Sequence, residues 1–222
     1  MSLPRRLAAE ALGTALLLAA VVGSGIMGER LAAGNAAVAL LANTAATGCA
    51  LAVLIAVLAP VSGAHFNPVV TLSLAARGAF PRALVMPYVL VQIASAIAGV
   101  VLAHFMFGES LLAFSTKPRA GIHHATSEFV ATFGLVLVVW ACAKRPVAAA
   151  PAVVAAWIAA AYWFTASTSF ANPAVTIARS LTDTFAGIRP VDAPLFVVAQ
   201  VVGAAAATLV AAWLFEPPGP LP

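Results

Sequence analysis

Two short phrases in this chain carry its chemistry. The first is Ser62-Gly63-Ala64-His65-Phe66-Asn67-Pro68-Val69-Val70-Thr71, and the second is Thr168-Ser169-Phe170-Ala171-Asn172-Pro173-Ala174-Val175-Thr176. In each, Asn-Pro opens a short apolar run. Asn is a strong helix N-cap, and Pro is favoured at the first helical position, where its missing N–H would have no partner. Each phrase predicts an irregular loop that delivers a capped helix N-terminus. The run from Pro68 to Arg77 makes about 15 Å of helix, roughly half of a 30 Å hydrocarbon core.

Two such half-helices meeting near the membrane midplane offer a definite chemistry. Asn67 and Asn172 cap with their side-chain oxygens and leave amide N–H groups for a solute. Facing helix N-termini add positive partial charge at the same place, which repels cations. The backbones of Gly63, Ala64, His65 and Phe66 before the first Asn have free carbonyls, as do those of Ser169, Phe170 and Ala171 before the second. Irregular backbone at membrane depth is tolerated where it lines a water-filled cavity.

The elements that must position these phrases are membrane-spanning. The 222 residues are 63% hydrophobic and only 8% charged, which excludes an ordinary soluble domain. One domain over residues 1–222 is expected, in halves of about 1–110 and 120–222. Six long apolar stretches cover Leu7–Met27, Val38–Ala59, Leu84–Phe107, Ala125–Ala143, Val147–Ser167 and Ala193–Phe215. Their length and lack of alternation predict helices, not barrel strands. The net charge of +4 comes without a basic stripe, so no nucleic-acid partner is expected. Cys49 and Cys142 sit in apolar stretches and read as small core thiols. Arg5-Arg6 before an apolar run resembles a signal peptide, but Glu10 and the further spans favour a first transmembrane helix.

Arg5, Arg6, Arg77, Arg82, Lys144 and Arg145 fall on one side, in short loops or beside the first helix. Arg30, Lys117, Arg119, Arg179 and Arg189 fall on the other. The positive-inside rule then places both termini in the cytoplasm of a multi-pass cell (inner) membrane protein, with the lipid bilayer as its partner. Tyr162-Trp163-Phe164 and Trp213 read as an aromatic belt. The halves repeat: Glu10 with Glu128, Asn67 with Asn172, and Pro87…Gln92 with Pro194…Gln200. Three spans separate the copies, and an odd number inverts the second copy in the membrane.

Glu10 and Glu128 are acids inside apolar spans, where a carboxylate is functional or paired. One reading is a proton relay. The other is that each carboxylate accepts hydrogen bonds from the loop beside its half-helix. The symmetry favours the second, because a relay needs no copy in each half, and Glu→Gln should then be mild. His65 reads as a neutral, hydrogen-bonded residue more readily than as a proton switch. His123 and His124 lack a third ligand, so no metal site is expected. No nucleophile, metal cluster or phosphate loop points to an enzyme, and no cofactor is implied.

Ser-Gly-Ala-His-Phe-Asn-Pro-Val-Val-Thr and Ser-Phe-Ala-Asn-Pro-Ala-Val-Thr resemble the two signatures of the aquaporins, or major intrinsic proteins. The resemblance covers nearly the whole chain. It implies an all-α hourglass fold of six transmembrane helices plus two re-entrant half-helices in an inverted repeat. It also implies a pore in each monomer and a homotetramer. Two departures stand out. Val69 replaces the usual Ala of the first Asn-Pro-Ala. Val175 replaces the Arg that the family usually has after its second Asn-Pro-Ala as the cation of the selectivity filter. By spacing from the signatures, the other filter positions fall on Thr47, Ala160 and Ser169, which predicts a wide, weakly polar, uncharged filter.

Arg179 lies four residues after Val175, on the same helix face and one turn farther out. It either reaches back toward the missing charge, or snorkels at the outer vestibule, or pairs with Asp183. The ease with which long basic chains snorkel favours the last two. The expected function is a passive channel for small neutral solutes. Bacterial aquaglyceroporins associated with arsenic resistance have the same Val, which implies glycerol-like polyols and neutral As(III) hydroxide, with water. A secondary transporter and a poorly conducting structural homologue, narrowed by Val69 and Val175, remain as alternatives.

Overall fold

The computed structural model describes residues 1–144 and 149–215. Arg145, the predicted fifth-span start at Val147 and residues 216–222 lie outside the described residues, as does the side chain of Lys144. Apolar runs and their punctuation divide the described chain into eight α-helices. These are α1 (Leu3–Leu31), α2 (Ala36–Ser62), α3 (Pro68–Ala76), α4 (Val85–Phe107), α5 (Ile122–Lys144), α6 (Ala150–Phe164), α7 (Pro173–Arg179) and α8 (Ala193–Phe215). Start and stop signals act where capping chemistry requires them. Asn35 caps α2, its side chain accepting from the N–H groups of Ala37 and Val38. Gly63 and Gly108 end α2 and α4 in the left-handed conformation, which glycine adopts without a Cβ penalty.

Helices α1, α2, α4, α5 and α8 are long and apolar enough to cross a membrane by length and composition. The described part of α6 has 15 residues, about 22 Å at 1.5 Å per residue. Large apolar side chains such as Leu12, Val53, Leu90, Val198 and Leu209 face outward, while Glu10, Gln92, Glu128, Gln200 and Arg179 are buried. That distribution suits a chain whose solvent is lipid and whose polar work is done inside.

The repeat unit is α1–α4 in the first copy and α5–α8 in the second. α1 packs on α2 and α4, as α5 packs on α6 and α8. Each half-helix also crosses into the other copy, α3 against α8 and α7 against α4. Gly99 of α4 and Gly203 of α8 make these packings possible. A Cβ at Gly99 would lie 2.3 Å from the Ala15 carbonyl oxygen, and one at Gly203 would lie 2.6 Å from that of Phe129. Small residues let membrane helices approach to backbone contact.

Behind α3, the Trp140 indole N–H donates to Ser73 Oγ, which shares a 2.6 Å hydrogen bond with Thr208 Oγ1. Val69 packs on this side, with Val136, Trp140 and Ala204. It therefore thickens the contact of α3 with α5 and α8. Three expectations are corrected. Cys49 is exposed on α2, so it is no core thiol. Of the expected aromatic belt, Trp163 and Phe164 are exposed but Tyr162 is buried. Val69 does not narrow the path between the half-helices.

The backbone clash at Gly99 yields a prediction. Gly99→Ala should lower the melting temperature of the detergent-solubilised protein, by a destabilisation of about 1–3 kcal/mol typical of overpacking. Gly48→Ala, whose Cβ would meet Ala159 at an ordinary 3.5 Å, should change it little. Differential scanning fluorimetry of both variants checks the contrast.

Candidate functional site: the junction of two re-entrant loops

The loops before α3 and α7 have the same unusual backbone. Gly63, Ala64 and Phe66 have φ of 95°, 49° and 49°, and Thr168, Ser169 and Ala171 have 60°, 51° and 49°. Five of these six carry a side chain, and left-handed backbone costs such a residue about 1–2 kcal/mol. The reward is geometric, since alternating backbone turns amide N–H groups to one side and carbonyls to the other.

The buried carboxylates take the N–H side. Glu10 Oε1 accepts from Ser62 Oγ at 2.7 Å and His65 N at 3.0 Å. Its Oε2 accepts from Phe66 N and from Gln92 Nε2, both at 2.8 Å. Glu128 accepts from Phe170 N and Ala171 N at 2.8 Å and from Gln200 Nε2 at 2.6 Å. Gln92 and Gln200 also donate to Thr71 Oγ1 and Thr176 Oγ1, whose hydroxyls donate to the carbonyls of Asn67 and Asn172. One motif of acid, Gln, Thr and loop thus stands behind each half-helix. Gln92 and Gln200, seen in the sequence only as marks of the repeat, are working parts of it.

At the junction the halves bind each other. Asn67 Oδ1 accepts from Val69 N, while its Nδ2 donates to the Ala171 carbonyl at 2.8 Å. Asn172 Oδ1 accepts from Ala174 N and Val175 N, while its Nδ2 donates to the Phe66 carbonyl at 2.8 Å. Each amide has two N–H groups, so one joins the halves and one is left over. Both Asn residues line a cavity of about 560 Å³. Gly63, Ala64, His65, Phe66, Ser169, Phe170 and Ala171 line it too, while the helix-opening Pro68, Pro173 and Ala174 are buried away from it. Helical stripes complete the wall: Thr47, Leu51, Ile55 and Ala59 on α2, and Ala150, Val154, Ile158 and Tyr162 on α6. Each stripe advances in steps of four over twelve residues, about 18 Å of helix.

The end of the cavity at α7 differs from the sequence expectation. Thr47, Ser169 and Val175 line it, but Ala160 is exposed and Tyr162 takes its place. Ala160 is two residues from Tyr162 and so lies on another face of α6. The Tyr162 hydroxyl is 3.5 Å from Thr47 Oγ1. Arg179 neither snorkels nor pairs with Asp183. It is 1% exposed, lines the cavity and lays its guanidinium over the Phe170 ring at 3.4 Å. Its Nε donates to the Ala186 carbonyl. This end therefore carries an aromatic ring and a guanidinium, not an uncharged, ring-free quartet.

Asp183 instead accepts from the N–H and hydroxyl of Thr116, bonds that hold its carboxyl below the ordinary carboxylate range. The segment around Thr116 straps over the second loop. Arg119 donates to the carbonyls of Gly187 and Ser167 and lies 5.1 Å from the Phe170 ring on its way. His104, on α4, is buried and bonded to Leu111 O and Thr182 Oγ1. The sequence places Arg119 only among the outer cations and does not single out His104, because no spacing signals a loop folded back over another. At the opposite end, His65 Nδ1 bonds Thr71 Oγ1, and its ring meets Phe80 edge-on and Tyr88 at a tilt. The rings of His123 and His124 touch at a tilt, and His124 bonds Ala120 O.

Two capped half-helices meeting end to end beside one elongated cavity, within a bundle of apolar helices, define a membrane channel of the re-entrant-loop class. The chain belongs to the major intrinsic protein family, whose profile (MIP) matches residues 1–164, and it is a channel and not an enzyme. Aquaglyceroporin AqpS of Rhizobium meliloti (strain 1021) is 53% identical to it over 219 residues, spanning 99% of this chain and 94% of that one. A glycerol uptake facilitator protein of Streptococcus pneumoniae is 38% identical over 106 residues, 42% of this chain and 45% of its own. The X-ray structure of the aquaglyceroporin from Plasmodium falciparum superposes with a TM-score of 0.76 over 94% of this chain and 95% of that one. At 20% identity, it shows the shared fold.

The geometry of the acids revises their expected sensitivity. Both oxygens of Glu128 already face donors, so the amide nitrogen of a Gln must oppose at least one of them. Glu128→Gln should destabilise by about 1–3 kcal/mol, the cost of unmaking hydrogen bonds to a buried charged group, and Glu128→Leu should destabilise more. Monodisperse yield and melting temperature of both variants check this; a Gln variant as stable as wild type contradicts it.

Proposed function

We propose that the protein is a passive channel for small uncharged solutes, with glycerol-like polyols and neutral As(III) hydroxide as substrates and water passing with them. The observation that carries this reading is the make-up of the cavity wall. Loop carbonyls, the two Asn amides, Thr47 and Ser169 supply donors and acceptors, while Leu17, Val21, Leu51, Ile55 and Leu135 supply apolar surface. A polyol has hydroxyls for the one and a carbon skeleton for the other. Val175 lies at the Tyr162 end without the bulk of an arginine, which favours solutes larger than water. The names of the aquaglyceroporin and glycerol-facilitator relatives support the same substrate class.

The carboxylates of Glu10 and Glu128 are occupied by loop donors, which counts against a coupling-ion site and so against a secondary transporter. In this reading, both termini are cytoplasmic in the cell's inner membrane. The end with Arg6 against Tyr88 then faces inward, and the end with Arg30 against Glu109 faces outward. In the same reading the chain assembles as a homotetramer with one pore per subunit.

Stopped-flow permeability of proteoliposomes to glycerol, water and As(III) hydroxide tests the reading. Glycerol flux should rise linearly with its gradient and be indifferent to ion gradients; saturation with ion dependence would point to a transporter. Val175→Arg should lower the glycerol-to-water permeability ratio on the order of tenfold, in line with what a change of pocket size can discriminate. An unchanged ratio removes Val175 from the constriction.

The two cysteines give an independent trace of the path. Cys142 lines the cavity and Cys49 is exposed on α2. A small mercurial added to proteoliposomes should slow glycerol flux in wild type and Cys49→Ser, and should leave Cys142→Ser unaffected. Block that persists without Cys142 would place the path elsewhere.

A further inference from the structure

Arg179 is the largest fully buried side chain among the described residues, and no carboxylate among them pairs with it. A buried guanidinium without a counter-ion is costly. Its hydrogen bonding is also incomplete: Nε reaches the Ala186 carbonyl, but the four Nη hydrogens have no protein acceptor among the described residues. A second buried polar group at the same end is unpartnered. Ser169 Oγ has no hydrogen-bond partner, and Ser169 is 2% exposed and lines the cavity. Ser169 Oγ and the Arg179 guanidinium thus both have hydrogen-bonding capacity to spare on the wall of one cavity.

Helix geometry explains how Arg179 comes to be there. Side chains on an α-helix slope toward its N-terminus, and residues four apart share a face. Arg179 is the last residue of α7, yet its guanidinium stacks on Phe170, which precedes the helix. The side chain therefore turns back toward the N-terminal end of α7, the direction in which Val175 lies. Arg119, the other cation near Phe170, is no competitor, because it does not line the cavity and donates to Gly187 and Ser167 instead.

We propose that Arg179 is the charge-selecting residue of this channel: it reaches back one helical turn to set a fixed positive charge beside Val175, and with Ser169 it hydrogen-bonds the oxygens of passing neutral solutes while repelling cations. The inference rests on the channel reading above. It reconciles a small Val on the helix with a charged filter, because the cation enters from farther along α7 and leaves the space at Val175 open.

Urea and guanidinium test it, being nearly the same planar shape with and without a charge. Their permeabilities are measured in proteoliposomes of the full-length protein, together with that of glycerol. Arg179→Met should raise the guanidinium-to-urea permeability ratio about tenfold or more, as expected when a fixed cation is removed from a narrow pore. Arg179→Lys should keep the ratio near wild type. An unchanged ratio in Arg179→Met, or a Lys variant as permissive as the Met variant, overturns the assignment.

Should Arg179→Met not yield monodisperse protein, Arg179→His is measured at about pH 4 and about pH 8, a span that covers the ordinary His value and the lower one that burial imposes. The ratio should rise only at the higher pH, and a ratio independent of pH overturns the proposal. If neither replacement folds, Arg179 is a structural residue and the assignment falls. A wild-type protein that passes neither glycerol nor urea defeats the channel reading as well. Normal neutral flux with guanidinium still excluded by Arg179→Met defeats this inference alone.

Discussion

Everything at the junction depends on two buried carboxylates accepting hydrogen bonds from peptide N–H groups. A loop at membrane depth has no water to satisfy its backbone, and each bare group would cost several kcal/mol. The loops here also contain left-handed residues with side chains, a conformation that L-residues avoid. Glu10 and Glu128 resolve both problems together. Each gathers consecutive N–H groups on one side, which fixes the loop's backbone and leaves the carbonyls facing the cavity. The buried charges are tolerable because every carboxylate oxygen has at least one donor. A path lined with acceptors is thus produced by an acid that never touches it.

The second constraint is reciprocity. Asn67 donates to Ala171 and Asn172 donates to Phe66, so neither loop reaches its final position without the other. Crossing of α3 onto α8 and α7 onto α4 strengthens the same dependence. A repeat that closes on itself this way explains why the motif of acid, Gln and Thr occurs twice. Each half-helix needs its own anchor, and the pore needs two half-helices. Outside that motif the copies differ: His65 on one side answers to Phe170 on the other, and Val69 answers to Ala174.

What the sequence made legible follows from this. Capping is local chemistry, so both half-helices could be read from Asn-Pro alone, and an acid in an apolar span announces a partner by its cost. The spans were legible because lipid demands long apolar runs. Ala160 failed because a filter position was carried over by counting residues across a segment, while the cavity is lined by a helical face. Val154, Ile158 and Tyr162 advance in steps of four, and that stripe was readable without any counting from the signatures. Arg119 and His104 were not legible, since their partners lie in irregular loops far along the chain.

Arg179 shows how a sound local rule loses to a distant contact. By itself, a basic residue ending a short helix next to Asp183 should snorkel or form an ion pair. The strap between α4 and α5 removes both options. Thr116 takes the Asp183 carboxylate with two hydrogen bonds, and backbone pairing of Ala113 with Leu181 and of Ser115 with Ser180 lays the strap over the end of α7. With its acid engaged and its route to the interface covered, the guanidinium turns inward, where the Phe170 face and the Ala186 carbonyl receive it. The charge at this end of the cavity is therefore set by a loop that contributes no lining residue. A change in that strap would alter the cavity's electrostatics while leaving both Asn-Pro motifs untouched.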